Sequence, residues 1–292
     1  MRTRSFLPRA EYPRPDRQRS FLQGVDWLNL NGAWEFRFDA DDSGRQKQWF
    51  NPDEQRWPDQ IIVPFCWESL AAWGEGDAAG NDHFYSTRVY RNPLEVTPHN
   101  YRGAARFEIG WYRRAIQIPA NEKWSNKRVI LTIGAADFYT EAWCNGQSLG
   151  THEGGFTPFE FDLTDTLCQS TNGQLAGTIV FRVEDRMQNY EQPVGKQWGW
   201  YSSASGIWQT AFVEPRAPQF IERFEITSDI DRAAVKFRIF CMGGSSVSIA
   251  ATSPAGEQFR TTVALKTGVA QAELTVGDPM LLSRAAERLG IA

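Results

Sequence analysis

Ile133–Asp165 reads IGAADFYTEAWCNGQSLGTHEGGFTPFEFDLTD. It parses as a strand, a tight turn at Asn145-Gly146, a second short strand, and a Gly-Gly loop leading into a third strand. Asn-Gly supplies the two positive φ angles that a two-residue type I′ hairpin turn requires. Gly154 and Gly155 permit backbone that other residues reach only with strain. Short strands separated by such turns point to an all-β chain, so this stretch sets the expectation for the rest.

Working outward, Trp34–Phe38 alternates apolar and polar residues, and Tyr112–Ile118 does so less cleanly. Val129–Ile133, Thr178–Val183 and Trp208–Val213 are further short runs rich in β-branched and aromatic residues, with Pro, Gly, Asn and Asp between them. The pattern predicts a β-sandwich or jelly roll. All twelve tryptophans precede residue 209. Pro215-Arg-Ala-Pro218 therefore marks a change of composition and a candidate boundary. Beyond it lie five more strand candidates: Phe220–Thr227, Ala234–Cys241, Ser246–Ala251, Gln258–Leu265 and Val269–Val276. They suggest an immunoglobulin-like sandwich, a fold that needs about seven strands, so this one is expected to be incomplete. The expected division is an extended arm over 1–12, a jelly-roll domain over 13–216 and a shortened immunoglobulin-like domain over 217–292. The end of the chain, Pro279–Ala292, has a helical character instead.

The chain has 292 residues, 41% of them hydrophobic, and a formal net charge of −4. It can bury a sizeable core, and nothing in its charge marks a nucleic-acid binder. The basic run near the amino terminus is interrupted by Pro8, Pro13 and Pro15 and reads as an extended arm. No apolar run approaches the 18 or more residues of a membrane span, and the amino terminus lacks a secretory apolar core. Cys66, Cys144, Cys168 and Cys241 are far apart in sequence, with no CxxC. Cys144 and Cys241 read as buried thiols in a reducing compartment, and the cytoplasm is the expected location. His83, His99 and His152 have no metal-ligand spacing. No metal and no cofactor is expected.

Several motifs then occur in order. They are Leu30–Phe36 (LNGAWEF), Ile62–Ser69 (IVPFCWES), Trp111–Arg114 (WYRR), Trp143–Gly146 (WCNG), His152–Phe159 (HEGGFTPF) and Ser205–Trp208 (SGIW). Together they resemble the amino-terminal sugar-binding domain of glycoside hydrolase family 2, well over Pro13–Pro215 and in pattern only over Phe220–Val276. The family includes β-galactosidases, β-glucuronidases and β-mannosidases. The resemblance implies a carbohydrate partner and a parent reaction of retaining hydrolysis of terminal β-glycosides. Such hydrolysis needs two carboxyl groups roughly 5–5.5 Å apart, which the family places on a barrel following these domains. No βα repeat lies within these residues, so this chain alone is expected to be catalytically silent.

Glu184–Trp208 (EDRMQNYEQPVGKQWGWYSSASGIW) is a long connection dense in aromatic and polar residues. Connections of this length are usually functional or disordered. The resemblance implies that it helps shape the sugar pocket. The candidate sugar-binding residues are Lys196, Gln197, Trp198, Trp200 and Tyr201, although several family members carry Asp at the position of Trp200. Trp143 and Trp208 read as core residues, and His152-Glu153 as a loop clamp, not a catalytic pair. Two other readings stay open. One is a free-standing carbohydrate-binding module, which measurable sugar affinity would favour. The other is a scaffold whose open sandwich edge recruits a chain or self-associates. Apolar positions of Ala234–Cys241 and Ser246–Ala251 are those expected to be left uncovered.

Overall fold

The computed structural model describes residues 26–53, 57, 59–67, 72, 108–171, 173–186, 204–252, 256 and 258–276. The arm expected over 1–12 and the helical character expected over Pro279–Ala292 fall on residues outside them. The chain divides into two compact units, Met1–Pro215 and Arg216–Ala292.

The first unit contributes β1 (Leu28–Asn29), β2 (Gly32–Phe38), β3 (Asp59–Val63), β4 (Ile109–Gln117), β5 (Arg128–Ile133), β6 (Ala136–Asp137) and β7 (Tyr139–Cys144). These are followed by β8 (Gln147–Glu153), β9 (Phe159–Asp162), β10 (Cys168–Gln169), β11 (Leu175–Glu184), β12 (Gly206–Ile207) and β13 (Ala211–Arg216). One sheet runs β3-β2-β4-β11-β7-β8, with β10 beside β11, and the other runs β1-β13-β5-β9. Pairing along the larger sheet is antiparallel. The hairpin expected at Asn145-Gly146 joins β7 to β8, with φ of 51° and 78° at the two turn residues.

The main core lies where alternate residues of the two sheets meet. Trp34 and Phe36 of β2, Tyr112 and Ile116 of β4, and Ile179, Phe181 and Val183 of β11 come from the larger sheet. Leu131 and Ile133 of β5, Phe159 and Phe161 of β9, and Val213 of β13 face them. The larger sheet is also covered on its outer face. There Ile109, Trp111, Val180 and Trp57 pack with Trp49, Phe50 and Trp143. Double-sided burial explains why Tyr112–Ile118 alternates poorly, since both faces of β4 need large side chains. The segment after β2 forms the outer cover. Asp39 accepts the Trp111 indole N–H at 2.9 Å and the backbone N–H of Gly44 at 2.9 Å. Each tryptophan buried in this way removes on the order of 150–250 Å² from water, worth about 4–6 kcal/mol before entropy is counted.

The structure revises the strand expected at Trp208–Val213. It begins at Ala211, and Trp208 lies outside it, just after the two-residue β12. Gly206, with φ of 88°, turns the chain there, and Asn31 Oδ1 accepts from Thr210 Oγ1 and Ala211 N at 3.0 Å each. Trp143 and Trp208 are both only half-buried, and neither joins the main core.

The second unit contains β14 (Phe220–Asp229), β15 (Ala234–Met242), β16 (Ser246–Thr252), β17 (Gln258–Ala264) and β18 (Val269–Thr275). They form a three-stranded sheet β14-β15-β18 and a two-stranded sheet β16-β17. Ile239, Val247, Ile249 and Ala270 are its buried core, with Val263 and Leu274 packed against it. The apolar positions of β15 and β16 are therefore covered, contrary to the expectation that they would be the exposed ones. The uncovered row lies on β14. Phe224 pairs with Ile239 and Ile226 with Phe237, so both face the core side of the sheet. They are nevertheless 64% and 55% exposed. The two-stranded sheet covers β15 but leaves this part of β14 bare.

Candidate functional site

Strand registers gather four segments of the first unit at one end. Tyr139 lies opposite Glu153, Glu184 opposite Tyr139, and Gly206 opposite Asp137. Residues 137–139, 153–157, 184–186 and 204–208 therefore meet there.

The turn after β8 is held on three sides. Gly154 has φ of 125° and donates its N–H to Phe138 O at 3.1 Å. Gly155 is pressed onto the buried Asp137, and a Cβ added at residue 155 would lie 2.5 Å from Asp137 Oδ1. Trp208 Nε1 donates to Gly155 O at 2.8 Å. Two glycines are thus required for different reasons, one by its backbone angle and one by space. The result is that Phe156 points outward, 61% exposed, with its ring edge-on to Trp208 at 6.0 Å between centroids.

His152 stacks on Phe159 with ring centroids 4.1 Å apart. Its Nε2 is 3.4 Å from Thr157 Oγ1. Burial pushes the imidazole below its ordinary range, only partly opposed by the Gly154 backbone and the Glu153 charge. His152 is therefore neutral at pH 7 and braces the turn, as the loop-clamp reading anticipated.

A second set of contacts lies where the chain leaves at Arg186 and returns at Ala204. Ser205 Oγ donates to the Asp185 carboxylate, and both residues are buried. Asp185 N–H donates to Glu108 O at 2.8 Å, and Trp67 N–H donates to Ser205 O at 3.1 Å. Ile207 N–H reaches Tyr112 Oη at 3.3 Å. Next to them, burial pushes the Glu184 carboxyl upward, but hydrogen bonds and charge from Arg186 and Arg182 outweigh it and leave the group below its usual value. Arg182, fully buried, donates from Nη2 to Asp42 Oδ1 at 2.7 Å and meets Glu184 Oε2 at 2.6 Å. Arg45 closes this layer with two bonds to Glu141, at 2.7 and 2.9 Å.

Lys196, Gln197, Trp198, Trp200 and Tyr201 lie outside the described residues, as do His83 and His99. Among the described residues, no group of three or more His, Cys, Asp or Glu side chains could hold a metal ion. Phe156 was missed in the sequence because a residue inside a Gly-Gly-x-Thr-Pro turn reads as connection. Its signal is a large aromatic where turn chemistry favours a small polar residue.

The described part of the first unit is thus a two-sheet β-sandwich with a stiff, aromatic-bearing turn at one end. The chain belongs to glycosyl hydrolases family 2, whose sugar binding domain model matches residues 28–213. A β-glucuronidase of Paenibacillus borealis is 29% identical over 137 residues, covering 47% of this chain and 18% of that relative. A β-galactosidase large subunit of Leuconostoc lactis is 29% identical over 143 residues, covering 47% of this chain and 22% of that relative. A β-glucuronidase of Sus scrofa is 24% identical over 258 residues, covering 80% and 34%. Among solved structures, β-glucuronidase from Ruminococcus gnavus in complex with D-glucuronic acid superposes with a TM-score of 0.52 at 18% identity. That match covers 85% of this chain and 39% of the other, and it shows the shared fold. The chain thus spans between 18% and 39% of the length of these relatives.

Proposed function

We propose that this chain is the non-catalytic, sugar-binding front portion of a β-glycosidase. The parent activity is retaining hydrolysis of terminal β-glycosides such as β-glucuronides or β-galactosides. The observation that carries this reading is the family match over 28–213, together with relatives named β-glucuronidase and β-galactosidase. The carboxyls at the candidate end also support a binding role. Glu184 is held by Arg182 and Arg186, Asp185 by Ser205, and Asp137 is packed under Gly155, which leaves Glu153 as the one exposed carboxyl there among the described residues. A retaining mechanism needs one carboxylate free to attack and another to shuttle a proton. The purified chain is therefore expected not to turn over nitrophenyl β-glucuronide or β-galactoside above background. Turnover abolished by substituting a carboxylate within residues 1–292 would overturn the reading. Four free thiols support a reducing, cytoplasmic setting.

A second reading assigns the second unit a role in association. It is favoured by the bare face of β14, where Ile221, Phe224 and Ile226 are 49%, 64% and 55% exposed. β14 also ends its sheet, so strand addition is open to it. Light scattering is expected to show concentration-dependent oligomers that Phe224→Lys removes. A strict monomer at all concentrations would discard this reading.

A further inference from the structure

We infer that Phe156, braced by Trp208, is a stacking platform for the apolar face of a pyranose ring. The inference rests on the sugar-binding reading above and names a contact surface for it. Four observations point to the platform. First, Phe156 and Leu175 are the large apolar side chains exposed in the first unit among the described residues. Exposure of a Phe to this extent costs hydrophobic free energy that folding would otherwise recover. Second, the turn that carries it is stiff. Gly155 is clamped between Asp137 and the Trp208 indole N–H, and Gly154 is bonded to Phe138. A ring presented on an ordered turn loses little freedom when a ligand arrives, which favours binding.

Third, the polar groups beside the ring suit a sugar better than a protein surface. His152 lies four residues before Phe156 and Thr157 one residue after it along the same turn, and Thr157 and Glu153 are exposed. The exposed Thr157 hydroxyl and Glu153 carboxyl group offer hydrogen-bonding partners that a ring hydroxyl can use. A protein partner would need roughly 800 Å² on each side, far more than one ring supplies. Fourth, the platform lies at the same end as Arg186 and Ala204, the described flanks of the segment holding the sequence-derived candidates. The Trp208 ring braces Phe156 edge-on, leaving a ring face to the ligand. Aromatic faces and the C–H faces of sugars attract because the ring quadrupole is negative on its face.

The test uses the full chain, isotopically labelled, titrated with methyl β-D-glucuronide and methyl β-D-galactoside and followed by NMR. The expected result is saturable shifts at the amides of Gly155 and Phe156 and at the Trp208 indole N–H with one of these probes. Phe156→Ala is expected to weaken binding roughly three- to tenfold, while Phe156→Tyr restores it. Because Phe156 is exposed, Phe156→Ala should leave the spectrum of the core intact, so a lost response reports binding and not unfolding. Binding that shifts other residues and is unchanged in Phe156→Ala would overturn the platform while leaving the sugar-binding reading standing. No response to either glycoside at any site would overturn both. Shifts at Phe156 that depend on protein concentration and not on sugar would overturn the sugar assignment in favour of association between copies.

Discussion

At the scale of single residues, three positions fix the candidate end. Gly155→Ala places a methyl group 2.5 Å from Asp137 Oδ1, and that carboxylate is itself buried. Overpacking of this kind costs about 1–3 kcal/mol, so the variant is expected to melt earlier and to shift the Trp208 indole resonance. Gly206→Ala meets a double obstacle, a φ of 88° and the Tyr112 hydroxyl in the space a Cβ would take. It is expected to be the more damaging of the two in the same melting comparison. His152 adds a pH dependence whose sign follows from its environment. Its folded pKa lies below the ordinary 6.5 because burial disfavours the imidazolium. The unfolded chain therefore takes up the proton first as pH falls below 6.5. The contribution is fully present above that value and is lost as pH drops through the folded pKa. The protection factors of the Gly154 and Gly155 amides, taken relative to intrinsic exchange at each pH, are expected to fall over that window, and His152→Gln should flatten the response. At this scale the sequence disclosed the Asn145-Gly146 turn and the clamp role of His152. It did not disclose Phe156 or the bracing role of Trp208, because local pattern records which residues are aromatic and not which neighbour fills the space beneath them.

At the scale of elements, the alternating strands were legible and the short or doubly buried ones were not. β2 shows its inward face directly in Trp34 and Phe36. β4 and β11 obscure theirs, since Trp111 and Arg182 must also be housed on the outer face. The two-residue strands β1, β6, β10 and β12 are too short to carry any period and are set by their partners. Arg182 is the residue on which this outer layer turns. It is fully buried and bonds to Asp42 and Glu184, with Glu141 also near. Removing one member of a buried ion-paired group leaves uncompensated charge and costs about 3–5 kcal/mol. Arg182→Ala is therefore expected to lower the midpoint of urea unfolding severely. Arg128→Ala loses a partly exposed pair with Asp162 and is expected to cost at most about 1 kcal/mol in the same measurement. Equal effects would mean that the buried cluster is not what secures the cover over β4 and β11.

At the scale of the whole molecule, the two units differ in how much apolar surface they enclose. The first encloses an extended core of aliphatic residues with tryptophan and phenylalanine among them, and the second a core of four buried residues. Limited proteolysis is accordingly expected to leave a resistant product of about residues 13–215. Survival of the second unit with loss of the first would reverse that ranking. The five strands of the second unit were each anticipated from alternation, yet which strand stayed bare was not. That depends on how far β16 and β17 reach across the opposing sheet, a length no single strand encodes. The outer aromatic layer of the first unit has a further consequence. Trp111 and Trp143 stack at 5.4 Å with planes 17° apart, and Phe50 stacks on Trp143 at 5.2 Å. Two indoles held this close and nearly parallel share their electronic excitations. Their transitions should split into a paired positive and negative band in far-ultraviolet circular dichroism. Because every tryptophan precedes residue 209, that optical signature belongs to one unit alone. Its loss on heating would time the opening of the first unit while the second contributes no indole signal, and Trp143→Phe should reduce the couplet to what the Trp49–Trp111 pair, 5.7 Å apart, supplies, without erasing the fold.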